Sequence, residues 1–356
     1  MDGFYCNECY KADLTEFSEQ VLNISGVASP NAEREIMYLA DAGNTVALKL
    51  CADLVFYRKI LRRRPYSEAF ALYLRSSDIV IGEDGGWRSQ GSSYPVAYWM
   101  LGYYLVNYKR ESGLKHSETI ETIEGMTIEK RLETAFYLAL SCIEHIDVPG
   151  AYNLIGRILK EISEDTALFN SLGGQVSNAL KESGAFKKMA GKVDPSSASG
   201  LSGASELFFK RAASEGYVYA CNNLAAREAG AILALAQRDK EDPEIPERVR
   251  KYTEYLKRAA DKYEPYAANR LGLFYINGEI RGSEGSFHYR RHIAPSLAKD
   301  YFMKATVYPD ANSAWAYYNL IRYFHKDYDS NIDLLNEHMS KIKELNPRIY
   351  ELAIEL

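Results

Sequence analysis

No run of about 18 uninterrupted apolar residues occurs in this 356-residue chain, which removes a membrane-spanning helix from consideration. Met1 to Glu8 has neither a basic start nor an apolar stretch, so it does not read as a signal peptide. A basic excess is missing too. The net charge of −5 disfavours a general nucleic-acid binder, which needs a positive face. Cysteine is sparse: five residues, at 6, 9, 51, 142 and 221. Cys6-x-x-Cys9 is half of a zinc or redox motif, but no second pair follows and no strand–helix unit surrounds it. It reads as structural or incidental. Cys51, Cys142 and Cys221 read as small buried hydrophobes.

Catalytic signatures are equally thin. Gly82 to Gly91 lacks both the dinucleotide fingerprint and the phosphate-loop Gly-Lys-Ser/Thr, and no Gly-x-Ser-x-Gly elbow occurs. Carboxylates are spread along helices as solvated faces, with no pair singled out for acid–base work. His288-x-x-x-His292 has the spacing that places two imidazoles on one helical face. Yet Tyr-Arg-Arg lies between them, two arginines repel a cation, and Pro295 with the nearby glycines favours a loop. The sequence therefore implies no cofactor and no metal. A hydrolase or small-ligand site in the 277–295 loop is the lesser alternative to a non-enzymatic protein.

What is present is a repeat. Tyr266-Ala-Ala-Asn-Arg-Leu-Gly-Leu-Phe-Tyr-Ile-Asn-Gly278 sets a frame of Ala267, Leu271, Gly272, Tyr275 and Gly278. At about 100° per residue the first four share one side of a helix, and Gly278 suits its C-terminal stop. The frame recurs from anchors Ala47, Ala97, Ala151, Ala220 and Ala316, with steps of 50, 54, 69, 47 and 49 residues along the series. Second helices fall between them: Ala69 to Ser77, Ala135 to Ile143, Ser205 to Ala213, Tyr252 to Ala260 and Ala298 to Thr306. A half-copy, Ala32 to Gly43, comes first. Such pairs bury their apolar faces only by stacking on one another.

The frame resembles the Sel1-like repeat, a relative of the tetratricopeptide repeat. Residues 266–278, Phe208 to Gly216 and Leu39 to Gly43 carry the likeness. Each copy is longer than the compact repeat of about 34 residues. Secreted members that staple each repeat with a disulfide have a cysteine spacing absent here, so the resemblance implies a reducing, cytoplasmic setting. The resemblance implies an all-α, right-handed superhelical solenoid of about six helix pairs with irregular insertions. Residues 1–30 read as a lead-in, 31–345 as the solenoid and 346–356 as a capping tail. Within the solenoid, 164–203 reads as a flexible insertion, with extra helices broken at Gly173-Gly174 and a linker from Gly191 to Gly203.

By the same resemblance, first helices line a concave groove. With i, i+4, i+5 and i+8 packed, positions i+2, i+3, i+6 and i+10 face it. They supply Trp99, Tyr103, Asn153, Arg157, Asn222, Asn223, Asn269, Arg270, Tyr318, Asn319, Arg322 and Lys326 as candidate partner contacts. Asn offers a donor and an acceptor to a peptide backbone, and Arg binds carboxylates bidentately. The Asn series has a second reading, as ties between neighbouring repeats. The aromatic segment Tyr94 to Tyr108 and the basic residues Arg58 to Arg64 are secondary surfaces, the latter also suiting a solvated helix end. The Asn and Arg residues suit an extended or acidic peptide, with an aromatic end near Trp99. The function read from this is a scaffold or adaptor for a protein or peptide partner, with no membrane or nucleic-acid role. An inhibitor or immunity-type protein would use the same surface.

Overall fold

A computed structural model of the chain describes residues 30–56, 66–81, 87–89, 95–107, 125–308, 310, 312–328 and 331–356. Cys6-x-x-Cys9 and the basic residues 58–64 lie outside this set, as do Tyr94 and Tyr108. The described residues form sixteen α-helices and two antiparallel two-stranded ribbons. They fall into two compact units, Met1–Phe208 and Phe209–Leu356, the boundary lying inside a helix.

In the first unit, α1 (Pro30–Asp41) packs on α2 (Thr45–Phe56), which pairs with α3 (Tyr66–Ser76). The ribbon β1 (Ile79–Ile81) and β2 (Trp87–Ser89) follows. Next come α4 (Val96–Asn107) and its partner α5 (Ile128–His145), then α6 (Pro149–Glu164), α7 (Thr166–Glu182), α8 (Gly184–Ala190) and α9 (Ala198–Ser214). The second unit pairs α10 (Val218–Arg238) with α11 (Ile245–Ala260). Then α12 (Pro265–Asn277) leads through β3 (Glu279–Gly282) and β4 (Gly285–His288) to α13 (Pro295–Lys304). Finally, α14 (Ser313–Tyr323) pairs with α15 (Ile332–Leu345), and α16 (Pro347–Ile354) ends the chain.

The six anchors fall on α2, α4, α6, α10, α12 and α14, and each anchoring alanine is 0% exposed. The i+4 residues Cys51, Leu101, Ile155, Leu224, Leu271 and Leu320 are buried beside them. The small residue at i+5 has a steric reason. A Cβ on Gly102 would sit 3.0 Å from the Ala135 carbonyl oxygen on α5. One on Gly272 would enter the Phe302 ring of α13, 2.8 Å from Cζ. Gly278 ends α12 at φ +78°, in the left-handed region. First helices also touch one another directly, α4 on α6, and α12 on α14. In the second unit α16 takes the next such place against α14.

Other helix ends follow their sequence signals. Prolines open α6, α12, α13 and α16, where a missing N–H costs nothing. Asp165 caps α7 by accepting from the Ala167 and Leu168 amides at 2.8 and 3.0 Å.

Three local expectations differ from the structure. Gly173-Gly174 does not break a helix: α7 runs through both, and Phe169 folds its own ring over the bare Gly173. The break comes at Ser183, which caps α8 through the Phe186 amide at 3.1 Å and donates to Glu144 on α5. Gly191 to Gly203 is not one linker. Residues 191–197 form turns in which Asp194 accepts from the Ser196 amide at 3.1 Å and pairs with Lys181 at 3.4 Å. Ala198 then begins α9. Its Gly200 admits the Asp194 backbone, because a Cβ would strike that carbonyl. The 277–295 loop contains a hairpin, β3 against β4, with Gly282 pairing with Gly285 across a two-residue turn.

In the second unit, α15 docks through His338. Its Nδ1 lies 2.9 Å from the Tyr328 hydroxyl, and its ring meets Tyr317 edge-on at 4.8 Å. Burial pushes the imidazole pKa below 6.5, while neighbouring Glu337 pulls the other way. The unfolded chain therefore binds the proton better. This contribution to stability is present above about pH 6.5 and is lost as pH falls toward the lower folded value. A urea midpoint lower at pH 5.5 than at pH 7.5, with the difference reduced in His338→Gln, is the expected result. An equal difference in both proteins contradicts it.

Candidate functional face

The open side of the first helices is best displayed in the second unit. The residue just before each anchor is aromatic and exposed there: Tyr219 at 56%, Tyr266 at 37% and Trp315 at 42%. Position i−1 lies at 260° on the helical wheel, in the middle of the 200–300° arc spanned by i+2, i+3, i+6 and i+10. Sequence reasoning omitted this position. The recurring aromatic-Ala pairs Tyr219-Ala220, Tyr266-Ala267 and Trp315-Ala316 were the available signal. On α14 the row continues down one stripe. Trp315 meets Tyr318 edge-on at 5.7 Å, and exposed Arg322 follows one turn later. Lys326 is exposed just beyond the helix.

The twelve residues read from the sequence separate by burial. Asn153, Asn269, Arg270 and Asn319 are buried. Trp99, Tyr103, Arg157, Asn222, Asn223 and Tyr318 are half-buried, and Arg322 and Lys326 are exposed. Asn319 Nδ2 donates to Asn269 Oδ1 at 2.9 Å, a buried bond between α14 and α12. That geometry matches the tie between neighbouring repeats. Arg270 donates to the Arg281 carbonyl of β3, and its guanidinium lies 5.8 Å from the Tyr266 ring. The same cation faces Tyr252, whose phenol is pushed up to about 12, by burial first of all. Asn222 on α10 hydrogen-bonds Glu264, the N-cap of α12, which also accepts from the Ala267 amide at 2.7 Å. Burial raises the pKa of Glu264 against these bonds. The Asn222 Oδ1 is buried and has no hydrogen-bond partner.

The first unit carries its own cluster. Arg157 on α6 donates to Asn107 Oδ1 on α4 at 3.0 Å and lies 5.7 Å from the Tyr103 ring. Tyr103 in turn meets Trp99 at 6.0 Å and Phe56 of α2 at 5.7 Å, both edge-on. The Trp99 ring lies over Gly150, where a Cβ would come within 2.8 Å of it. Tyr98 and Tyr104, in the same aromatic helix, are core residues.

His288 and His292 do not share a helical face. His288 is on β4, its Nδ1 3.2 Å from the Asn277 carbonyl oxygen, and His292 ends a short 3₁₀ turn, Arg290–His292. Among the described residues no group of three or more His, Cys, Asp or Glu is placed to hold a metal ion. No described helix is long and apolar enough to cross a membrane.

No family model matches the sequence, and no curated protein is significantly similar to it. Solved structures do resemble it. One is a Sel1 repeat protein from Oxalobacter formigenes, 13% identical, covering 92% of this chain and 91% of that one, with a TM-score of 0.34. Another is a protective antigen of uropathogenic Escherichia coli strains displaying an SLR fold. It is 15% identical, covers 94% of this chain and 68% of that one, and has a TM-score of 0.31. Within this chain the helix-pair repeat shows in its own residues: the buried Ala, Leu and Gly frame recurs, and the Ser205 hydroxyl on a second helix donates to the Gly156 carbonyl at 2.7 Å.

Proposed function

We propose that the chain is a non-enzymatic scaffold that binds a segment of a protein partner on the open side of its first helices. The observation that carries this is the exposed row Tyr219, Tyr266 and Trp315 on three successive first helices. Large rings with few rotatable bonds lose little entropy on contact, and such residues dominate interfaces. Half-buried Trp99, Tyr103 and Arg157 extend the candidate set in the first unit. Cys142 and Cys221 give no competing catalytic reading. Cys142 and Cys221 are free thiols whose pKa values burial raises, which makes them poor nucleophiles.

The test is capture from the native cell extract, comparing wild type with Tyr219→Ala/Tyr266→Ala/Trp315→Ala after circular dichroism shows equal helicity. The triple variant is expected to lose a wild-type partner by about tenfold or more, since one interface hot spot alone is worth about 2 kcal/mol. Equal retention sinks the proposal.

A further inference from the structure

We infer that two copies of this chain pair through β4, edge to edge and antiparallel, so that their hairpins join into one sheet across a twofold axis. The first observation is that β4 is an open edge. Gly282 and Gly285 close the two-residue turn, so residues along the hairpin alternate between exchanging hydrogen bonds and facing outward. Tyr289 donates to the Gly278 carbonyl at 2.9 Å, which fixes the phase. The backbone groups of Glu279 and Arg281 on β3, and of Ser286 and His288 on β4, therefore point away from the hairpin. On β3 that edge is taken. Asn277 Oδ1 accepts from the Glu279 amide at 2.9 Å, and Arg270 donates to the Arg281 carbonyl. On β4 it is free. Among the described residues no hydrogen bond reaches the N–H or C=O of Ser286 or His288, and both residues are exposed. Exposed edges are normally blunted by lysine, proline or an inward-pointing charge, and Gly285-Ser286-Phe287-His288 carries none.

The second observation is that this edge is complementary to itself. A twofold axis through Phe287 sets Ser286 opposite the second copy's His288, and His288 opposite its Ser286. All of these face outward, so every open N–H and C=O of the two strands finds a partner. An axis through Ser286 or His288 instead runs one end of β4 past the other strand. Phe287 stands on the axis, on the ribbon face shared with Ile280 and Gly282, where Gly282 meets Leu233 of α10. It is half-buried and makes no ring contact with another described residue. Side chains approach most closely in a non-hydrogen-bonded antiparallel pair, so the two Phe287 rings meet there.

The third is charge. Glu284 and Arg290 are exposed, and neither has an ion-pair partner among the described residues. They lie three residues before and three residues after Phe287. The same register therefore sets Glu284 of each copy opposite Arg290 of the other, at both ends of the paired strands. This reciprocal spacing selects a second copy over an unrelated strand. The paired strands are short, so association is weak and concentration-dependent.

Sedimentation equilibrium of the full chain from about 1 to about 200 µM tests the pairing, and wild type is expected to pass from monomer to dimer across that range. Ser286→Pro removes an outward N–H that the hairpin does not use. It should leave the circular dichroism spectrum and urea midpoint unchanged and keep the chain monomeric. Glu284→Arg and Arg290→Glu should each weaken the dimer about tenfold. The double variant should return to within about threefold of wild type, a rescue that only reciprocal contact across the axis gives. Should Ser286→Pro disturb the fold, the charge swap decides alone. A monomer at every concentration, a dimer that a folded Ser286→Pro variant leaves intact, or a charge swap no tighter than its single variants overturns the inference.

Discussion

Arg270→Glu is expected to destabilise the second unit by about 3–5 kcal/mol, the usual cost of replacing one partner in a buried charged network. Arg270 is buried, donates to the Arg281 carbonyl, and stands over the Tyr266 ring. Its positive charge also faces the buried Tyr252, while the carboxylate of buried Glu279 acts on the same phenol. A carboxylate at position 270 loses the donor, faces the Arg281 carbonyl oxygen, and adds negative charge beside Glu279. Arg322→Glu is the control. Arg322 is exposed, and its reversal should shift stability by less than about 0.5 kcal/mol. Urea denaturation of both variants measures the contrast. Equal midpoints would show that the buried and exposed members of the Arg series are misassigned.

Gly272→Val is the second large effect. The three nearest atoms to a Cβ at 272 all belong to the Phe302 ring, itself fully buried on α13. The first and second helices of this pair meet at that point, so an added side chain must push the ring or spread the helices. Overpacking of this kind costs about 1–3 kcal/mol, and the branched side chain puts the expected loss at the upper end. The mechanism has a signature in a double mutant. Phe302→Leu costs stability alone by opening a cavity, yet it should recover part of the loss in Gly272→Val. Additive costs would mean that the two residues do not share the contact.

The helical architecture was legible because packing enforces it at every repeat. The anchoring alanine and its i+4 neighbour are buried on all six first helices, and a period of 3.6 residues exposes that constraint in the sequence. What the sequence concealed was set by single close contacts. Gly173 stays helical because Phe169 covers it, and Ala198 starts α9 because Gly200 admits the Asp194 backbone. Composition alone reads both stretches as breaks. The face was half legible. The wheel gives an arc but not which residues on it are covered. Asn269 and Asn319 lie on that arc and bond each other, while the i−1 rings are exposed. An asparagine has the same one-letter signal whether it ties two helices together or waits for a ligand.

Site-specific photo-crosslinking tests the central claim most directly. A photoreactive phenylalanine analogue would replace Tyr219, Tyr266 or Trp315 on the first helices, and Met303 or Tyr308 at the second-helix side, all of which are exposed. Irradiation in the native extract should join one partner to each of the first three positions and to neither of the others. Cross-links arising from 303 and 308 instead, with none from 219, 266 and 315, would contradict the account.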